Sequence, residues 1–205
     1  MLCYSTMTKN QRFYLPFKRI FDFISALIAF SVFSPLFIII PIMIKRDSPG
    51  PAFFKQKRVG KNNREFMIYK FRTMKSDTPN VAKEILLNSA IGIDTYMTEI
   101  GKKLRKSSLD EIPQLINILK GDMSLVGPRP ALFNQYDLIE MRTKRNIHTL
   151  RPGMTGWAII MGGEDLALEE KVNADEYYLK NLSFTLDIKI LLMTIGVIKS
   201  KKGLY

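Results

Sequence analysis

The chain has 205 residues, a length that allows one compact domain with an appendage and argues against two full domains. Its 31 Lys and Arg against 19 Asp and Glu give a net charge of +12, but 46% hydrophobic residues are too many for a disordered basic tail. The single cysteine, Cys3, excludes an intramolecular disulfide, and the single histidine, His148, excludes a Cys/His zinc cluster.

The basic charge surrounds one long apolar run. Residues 1–75 carry 14 Lys and Arg against 3 Asp and Glu, a net +11, whereas residues 76–205 carry 17 against 16, a net +1. The run itself, from Phe23 to Ile44, has 22 residues without a charge. Because about 20 helical residues cross a bilayer core of about 30 Å, its length allows a membrane element.

Three features of this run argue against a simple span. Pro35 lies near its middle and predicts a bend, and Ser31 and Ser34 can bond the carbonyls that such a break frees. Lys and Arg flank the run on both sides, although their excess normally marks the cytoplasmic side, and Asp22 at its start is best kept at the interface. A re-entrant helical hairpin broken at Ser34 and Pro35 satisfies all three features. A kinked bitopic anchor is the alternative, and these features alone leave both open.

The rest of the chain predicts a small α+β domain. A turn-rich hinge is followed by a predicted β-hairpin with strands at 52–57 and 65–71. Helices are predicted at 80–106 with interruptions at Gly92 and Gly101, at 109–119 with a stop at Gly121, and at 132–146, 169–179 and 186–199. We therefore expect residues 49–205 to form a mostly helical domain with a short β-hairpin, mounted on a membrane element at residues 1–48. The last helix is amphipathic, and it fits an interfacial helix in the headgroup layer and a core helix equally well.

Adjacent carboxylates mark the stretch from Ser107 to Pro130, which reads SSLDEIPQLINILKGDMSLVGPRP. Asp110 and Glu111 lie at the start of a predicted helix, where carboxylates complement the helix dipole. The spacing of Ser108 and Glu111 also fits a capping box, and taken alone the pair is more often a cap than a catalytic dyad.

Two arginines beside prolines give the acid pair a chemical context. Arg129 stands between Pro128 and Pro130, and Arg151 precedes Pro152 and a glycine. Arginines fixed by prolines suit bidentate capture of phosphate, although each is also a normal ion-pair partner of a nearby acid. Carboxylates, a helix N-terminus and fixed arginines together predict a diphosphate site in which the acids hold Mg²⁺ or attack phosphorus.

Four motifs in this order resemble one known family. They are SLDEIPQLINILKGDMSLVGPRP, IYKFRTM at 68–74, RPGMTG at 151–156 and DEYYLKNLSFTLDIKIL at 175–191. The chain resembles the bacterial sugar transferases, the small monotopic polyprenyl-phosphate phosphoglycosyl transferases, from about Phe17 to Lys199. This resemblance implies transfer of a phospho-sugar from a UDP-sugar to undecaprenyl phosphate with release of UMP, as the initiating step of capsule, exopolysaccharide or glycoconjugate assembly. It also implies the re-entrant form and a location at the cytoplasmic face of the bacterial cell membrane.

The resemblance implies a role for individual residues. Asp110 would attack the phosphate next to the sugar and carry a covalent phospho-sugar in a ping-pong mechanism. Glu111 would help Asp110 hold Mg²⁺. The expected phosphate- and substrate-binding residues are Lys70, Arg72, Arg129, Arg151 and Asp175.

One stretch departs from the family pattern. After Thr155 and Gly156 the family usually has a Gln and then an Asn-Gly-Arg turn, whereas this chain has WAIIMGG at 157–163. If that stretch touches the nucleotide or the sugar, the identity of the donor does not follow from better-known members.

Two other classes of protein fit part of the pattern. A nucleic-acid binder would use the basic segment, but the charge there surrounds an apolar run and no recognised binding motif is present. A non-catalytic, basic, membrane-anchored scaffold would need the membrane element but not the Asp-Glu pair. We therefore expect a UDP-sugar, undecaprenyl phosphate and an anionic membrane surface as partners, and no nucleic acid. The oligomeric state stays open.

Overall fold

The computed structural model describes residues 8–76, 78 and 93–200. Helices predominate and the sheets are small, as expected for the α+β class. The helices in this part of the chain are α1 (Lys9–Phe33), α2 (Leu36–Asp47), α3 (Glu99–Lys106), α4 (Gln114–Lys120), α5 (Tyr136–Lys144), α6 (Trp157–Met161), α7 (Leu168–Lys180) and α8 (Phe184–Ser200). The strands are β1 (Phe53–Val59), β2 (Glu65–Phe71), β3 (Ser124–Val126), β4 (Ala131–Leu132) and β5 (Gly153–Thr155).

A bend of 57° separates α1 from α2 at Ser34 and Pro35. The hydroxyl of Ser34 donates to the carbonyl of Ser31 at 2.8 Å, and the hydroxyl of Ser31 donates to the carbonyl of Leu27 at 3.0 Å. These bonds satisfy carbonyls beside the point where proline supplies no N–H. Taken singly, the helices of the described residues are too short or too polar to cross a membrane, and only α1 and α2 together have the required length and apolarity. The helix thus breaks where the sequence predicts, and its re-entry into a bilayer stays a prediction.

The bent helix pair has one buried face and one exposed face. Ala26, Ile40 and Ile44 are buried in a core cluster with residues of β2 and α4. The ring of Phe37 lies 5.7 Å from that of Phe71 and continues this contact into the hairpin. The opposite face exposes large apolar side chains, namely Phe23, Ile24, Leu27, Ile28, Val32, Ile38, Ile39, Ile42 and Met43. A contiguous apolar surface of this kind is typical of a protein or membrane contact.

A buried polar network holds the first half of α1 against the domain. Asp187 of α8 accepts hydrogen bonds from the hydroxyls of Tyr14 and Tyr178 at 2.6 Å each, and Lys18 Nζ lies 2.5 Å from the same carboxylate. Asp22 is buried and accepts from the hydroxyl of Ser124 at 2.6 Å in β3. Polar groups buried in this way are stable only because each has a partner.

The predicted hairpin is confirmed, with β1 and β2 antiparallel from the pair Phe53 and Phe71 to the pair Val59 and Glu65. Strand β4 pairs with the other side of β1, which gives the order β2-β1-β4. Strands β3 and β5 form a separate parallel pair in which Val126 lies opposite Thr155.

The predicted helix at 109–119 is divided. Leu109–Glu111 form a 3-10 turn, and α4 begins only at Gln114. Pro113 is the reason, because it lacks the N–H that would bond the carbonyl of Leu109 in an α-helix. Gly121 ends α4 as predicted, at φ 90°.

The remaining helix predictions have mixed outcomes. The helices predicted at 169–179 and 186–199 are confirmed as α7 and α8, whereas α5 begins at Tyr136 because residues 131–132 form β4. Residues 80–92, with Gly92, lie outside the described residues. The prediction that Gly101 interrupts a helix is wrong, since Gly101 lies in the first turn of α3 and its N–H donates to the hydroxyl of Thr98 at 2.9 Å.

Candidate active site

Asp110 and Glu111 lie in the 3-10 turn that connects α3 with α4. Ser108 precedes them at φ 55°, a left-handed conformation that residues other than glycine rarely adopt. Its side chain makes no capping hydrogen bond, so the capping-box interpretation is wrong. Strain of this kind is concentrated at functional sites, and Ser108, Asp110 and Glu111 all line one cavity of about 460 Å³.

Glu111 is held by two cations. Lys70 Nζ, from the end of β2, lies 2.6 Å from Glu111 Oε1, and Arg129 Nη2 lies 3.6 Å from the same oxygen. Burial alone would raise the pKa of Glu111, but the charges of Lys70 and Arg129, with hydrogen bonds from Lys70 and Gln114, outweigh it and hold the pKa well below its usual value. Glu111 is therefore ionised at neutral pH.

Asp110 has the opposite environment. Its residue is only 6% exposed, and no hydrogen bond among the described residues ends on its carboxylate. Burial raises the pKa of Asp110 to about 6, with Lys70 opposing and Glu111 adding to this shift. The charges of Lys70, Arg105 and Arg129 favour the ionised form of Asp110, but desolvation by burial outweighs them.

Asn117 of α4 fixes the distance between Lys70 and the acid pair. Its fully buried side chain donates to the carbonyl of Met67 at 2.7 Å and accepts from the N–H of Tyr69 at 3.1 Å. The amide thereby makes two hydrogen bonds of the kind that a neighbouring strand would make along the free edge of β2. Lys70 follows Tyr69 directly, so this contact holds the end of β2 against α4, the helix that follows the acid pair.

Arg129 is presented by a turn whose three carbonyls all accept hydrogen bonds. Pro128 accepts from the N–H of Gly153 at 2.8 Å, Arg129 from Arg142 Nη1 at 2.8 Å, and Pro130 from Arg58 Nη1 at 3.0 Å. The close contact with Gly153 requires a residue without a side chain, because a Cβ there would lie 2.1 Å from the nitrogen of Gly127. The structure thus brings Arg129 to the acid pair as predicted.

Arg151 lies elsewhere. Its Nε donates to the carbonyl of Gly121 at 2.9 Å, at the opposite end of α4 from the acid pair. The parallel pairing of β3 and β5 explains this, because Arg129 follows the end of β3 whereas Arg151 precedes the start of β5. The expectation that Arg151 shares the phosphate site with Arg129 is therefore not met. Its motif instead supplies the backbone on which the Arg129 turn rests.

Arg72 is bonded to the turn-rich segment at 46–51, which precedes β1. Its two terminal nitrogens donate to the carbonyls of Ser48 and Pro49 and to the hydroxyls of Ser48 and Ser76, at 2.6–2.9 Å. Burial lowers the pKa of Arg72, partly opposed by Asp47. Arg72 borders the cavity, but these bonds tie the segment before β1 to the residue that follows β2.

Asp175 is buried away from the cavity wall, with 1% of the residue exposed. It accepts from Arg142 Nε at 3.0 Å and Nη2 at 2.6 Å, and burial raises the pKa of Asp175 against the opposing charge of Arg142. The residue that reaches the cavity is Arg142. Sequence reasoning missed Arg142, which stands in an unremarkable charged stretch of α5, and also missed Asn117; neither carries a motif of its own.

The stretch at 157–163, where the sequence departs from the family pattern, forms part of the cavity wall. Ala158, Ile159 and Gly163 line it, whereas Trp157 stacks on Tyr177 with 4.9 Å between ring centroids. The difference between WAIIMGG and the usual family sequence therefore changes a surface that faces the site. Apolar Leu138 lies in the same wall.

The acid pair fits one mode of magnesium binding. The described residues contain no group of three or more His, Cys, Asp and Glu side chains, so a metal cage built from protein alone is absent there. Mg²⁺ is commonly held by only one or two carboxylates, with water and substrate phosphates completing its coordination. A buried carboxylate without a hydrogen-bond donor, Asp110, beside an ionised one, Glu111, suits that mode.

Residues 13–201 match the bacterial sugar transferases, and the chain therefore belongs to this family. It is 41% identical over 192 residues to a UDP-N-acetylgalactosamine-undecaprenyl-phosphate N-acetylgalactosaminephosphotransferase of Aeromonas hydrophila, covering 91% of this chain and 44% of the relative. It is 37% identical to an undecaprenyl-phosphate galactose phosphotransferase of Salmonella typhimurium, covering 92% and 41%. The exopolysaccharide production protein ExoY of Rhizobium meliloti is 36% identical, with 92% and 88% covered. The chain thus spans less than half of the first two relatives and most of the third.

Proposed function

We propose that this protein transfers a phospho-sugar from a UDP-sugar to undecaprenyl phosphate and releases UMP, as the initiating step of capsule, exopolysaccharide or glycoconjugate assembly. The names of its relatives support this reaction and these substrates. The observation that carries the proposal is the buried Asp110 carboxylate beside the Glu111, Lys70 and Arg129 cluster in one cavity.

In the first half-reaction, an Asp110 oxygen attacks the phosphorus bonded to the sugar. The bond from this phosphorus to the bridging oxygen breaks, and the electron pair leaves with UMP. In the second half-reaction, a phosphate oxygen of undecaprenyl phosphate attacks the same phosphorus and the Asp110 carboxylate departs. The mechanism is therefore ping-pong, with a covalent phospho-sugar on Asp110.

The cations around the acids make this attack electrostatically feasible. Lys70 and Arg129 neutralise the diphosphate, which allows an anionic carboxylate to approach it. Asp110 and Glu111 would hold Mg²⁺, which when bound supplies further charge neutralisation. Glu111 stays ionised because the two cations hold its pKa low.

We further propose that α1 and α2 form a re-entrant hairpin, so that the domain at 49–205 lies on an anionic membrane surface at the cytoplasmic face. Both ends of the hairpin contact the same domain. Near its start, Gln11 Nε2 donates to the carbonyl of Leu179 at 3.0 Å, and at its end Asp47 accepts from the N–H of Ile100 at 3.1 Å. A bitopic helix would place its two ends on opposite sides of the bilayer, which these contacts oppose.

The test is UMP release from a panel of UDP-sugars, with undecaprenyl phosphate supplied in detergent. UDP-galactose and UDP-N-acetylgalactosamine come first, because the relatives are named for these sugars. Asp110→Asn should abolish UMP release, since an amide is a poor nucleophile and a poor Mg²⁺ ligand. With UDP-sugar alone, the wild type should gain the mass of a sugar phosphate and Asp110→Asn should not.

Three outcomes would count against the proposal. Full activity of Asp110→Asn would exclude the covalent step, and turnover in excess EDTA would exclude the metal. No UMP release from any donor by the wild type would favour a membrane-anchored scaffold. Glu111→Gln serves as the companion variant, and we expect it to be severely impaired.

A further inference from the structure

One side chain bridges a buried acid and the turn that carries Arg129. Arg142 directs Nε and Nη2 to Asp175 Oδ2, at 3.0 and 2.6 Å, and Nη1 to the carbonyl of Arg129 at 2.8 Å. Asp175 belongs to α7 and Arg142 to α5. The guanidinium therefore links two helices to the backbone of a residue in the site.

This bridge supplies one of the three hydrogen bonds that the carbonyls of the turn accept. Pro128 and Pro130 have no N–H, so the segment is fixed mainly by what its carbonyls accept. The bonds to the carbonyls on either side come from Gly153 and Arg58. Arg142 Nη1 bonds the carbonyl of Arg129 itself, and the planar guanidinium of Arg142 is held in orientation by Asp175.

We propose that Asp175 and Arg142 are positioning residues that set the Arg129 guanidinium against Glu111 and the donor diphosphate. This inference rests on the proposed function, and it changes the expected role of Asp175 from a substrate contact to a support. Asp175 acts through Arg142, and Arg142 acts through the carbonyl of Arg129. Loss of either removes a bond that fixes the backbone of Arg129, and we expect its guanidinium to shift from the 3.6 Å contact with Glu111.

The test uses the full chain in detergent with Mg²⁺. Asp175→Asn and Arg142→Lys should each lower kcat/KM for the UDP-sugar at least about tenfold, and should weaken binding of UDP, measured by calorimetry. The matched control is Glu176→Gln, which removes the contact of Glu176 Oε2 with Arg145 Nη1 at 3.1 Å. Glu176 follows Asp175 by one residue, and Arg145 follows Arg142 by three. Their ion pair therefore also joins α7 to the end of α5, but neither residue lines the cavity. We expect the control to stay within about twofold of the wild type.

A double-mutant cycle separates positioning from general destabilisation. When Arg129 is already replaced by Ala, adding Asp175→Asn should lower kcat/KM and UDP affinity by less than about twofold further, because the effect of Asp175 passes through Arg129. Multiplicative effects, or an Asp175→Asn variant no worse than Glu176→Gln, would overturn the proposal. Should Asp175→Asn fail to fold, Arg142→Lys enters the same cycle. A wild type that binds UDP but releases no UMP would refute the proposed function, and the UDP-binding cycle would still decide the positioning role.

Discussion

Lys70 Nζ lies 2.6 Å from Glu111 Oε1, and this contact joins the end of β2 to the turn that holds both acids. The lysine is also the strongest opposing charge on Asp110, whose pKa burial raises to about 6. This cation thus contributes to the ionisation of Glu111, together with Arg129, and limits the cost of ionising Asp110. Two adjacent carboxylates acquire different properties because only one of them contacts the cation directly.

Replacing Lys70 by Met should therefore affect both acids. Without this cation, less charge opposes the effect of burial and the pKa of each carboxyl rises, so we expect UMP release at pH 7 to fall at least about tenfold. The loss should be smaller at pH 9, where the carboxyls ionise again. The measurement is the pH profile of kcat/KM. Lys57→Met is the control, because its ion pair with Glu65 lies half-exposed on the same hairpin. Equal losses at both pH values would show that Lys70 does not act through ionisation.

The stability of the metal-free protein should depend on pH through Asp110. An acid with a raised folded-state pKa stabilises the fold at low pH, and this contribution disappears as the pH rises from the unfolded value of 3.8 through about 6. At pH 8 the charged, buried carboxylate should cost on the order of 3 kcal/mol. Asp110→Asn should accordingly melt at a higher temperature than the wild type at pH 8 without Mg²⁺, and this advantage should shrink towards pH 4.

Two comparisons make the melting experiment specific. Added Mg²⁺ should raise the melting temperature of the wild type and not that of Asp110→Asn. Asp137→Asn, at an exposed carboxylate of α5, should change little at either pH. A metal-free Asp110→Asn protein that is less stable than the wild type at pH 8 would contradict the prediction.

Local patterns in the sequence were sufficient to predict the hairpin and the helix break, and they show that two acids are adjacent. The break at Ser34 and Pro35 depends on covalent properties of proline, and β1 and β2 are close in sequence, so neither needs tertiary information. The same argument applies to Asp110 and Glu111, which are neighbours in the chain. Their pKa values could not be predicted in this way, because the desolvation of Asp110 depends on the tertiary packing around the cavity.

The different positions of the arginines in the fold could not be predicted from the sequence. Arg129 and Arg151 have the same local signal, a fixed arginine beside proline, but the parallel pairing of β3 and β5 sends them to opposite ends of one short sheet. No local pattern specifies that pairing. Arg142 is the converse case, since it reaches the cavity only because α5 and α7 pack together and Asp175 orients it.

Gly101 is required by a close backbone approach between α3 and the chain after β2. A Cβ at this position would lie 1.9 Å from the carbonyl oxygen of Thr73. Gly101→Ala should therefore force α3 away from β2 and destabilise the protein by about 1–3 kcal/mol. Gly196→Ala is the matched control, because a Cβ there meets nothing within 4 Å and Ala favours the helix by about 1 kcal/mol. The melting temperature should fall for the first variant and stay or rise for the second; equal melting temperatures would contradict the close contact.

The orientation of the helix hairpin can be read from two engineered cysteines. Asn10→Cys places a thiol at the exposed start of α1, and Glu140→Cys places one on exposed α5, both in a Cys3→Ser background that removes the only native thiol. Because the network of Lys18 and Asp187 holds the start of α1 on the domain, both thiols should resist an impermeant reagent in intact bacterial cells and react after lysis. A bitopic anchor would instead expose Asn10→Cys alone to the reagent outside. That result would refute the re-entrant hairpin while leaving the transferase chemistry of Asp110 intact.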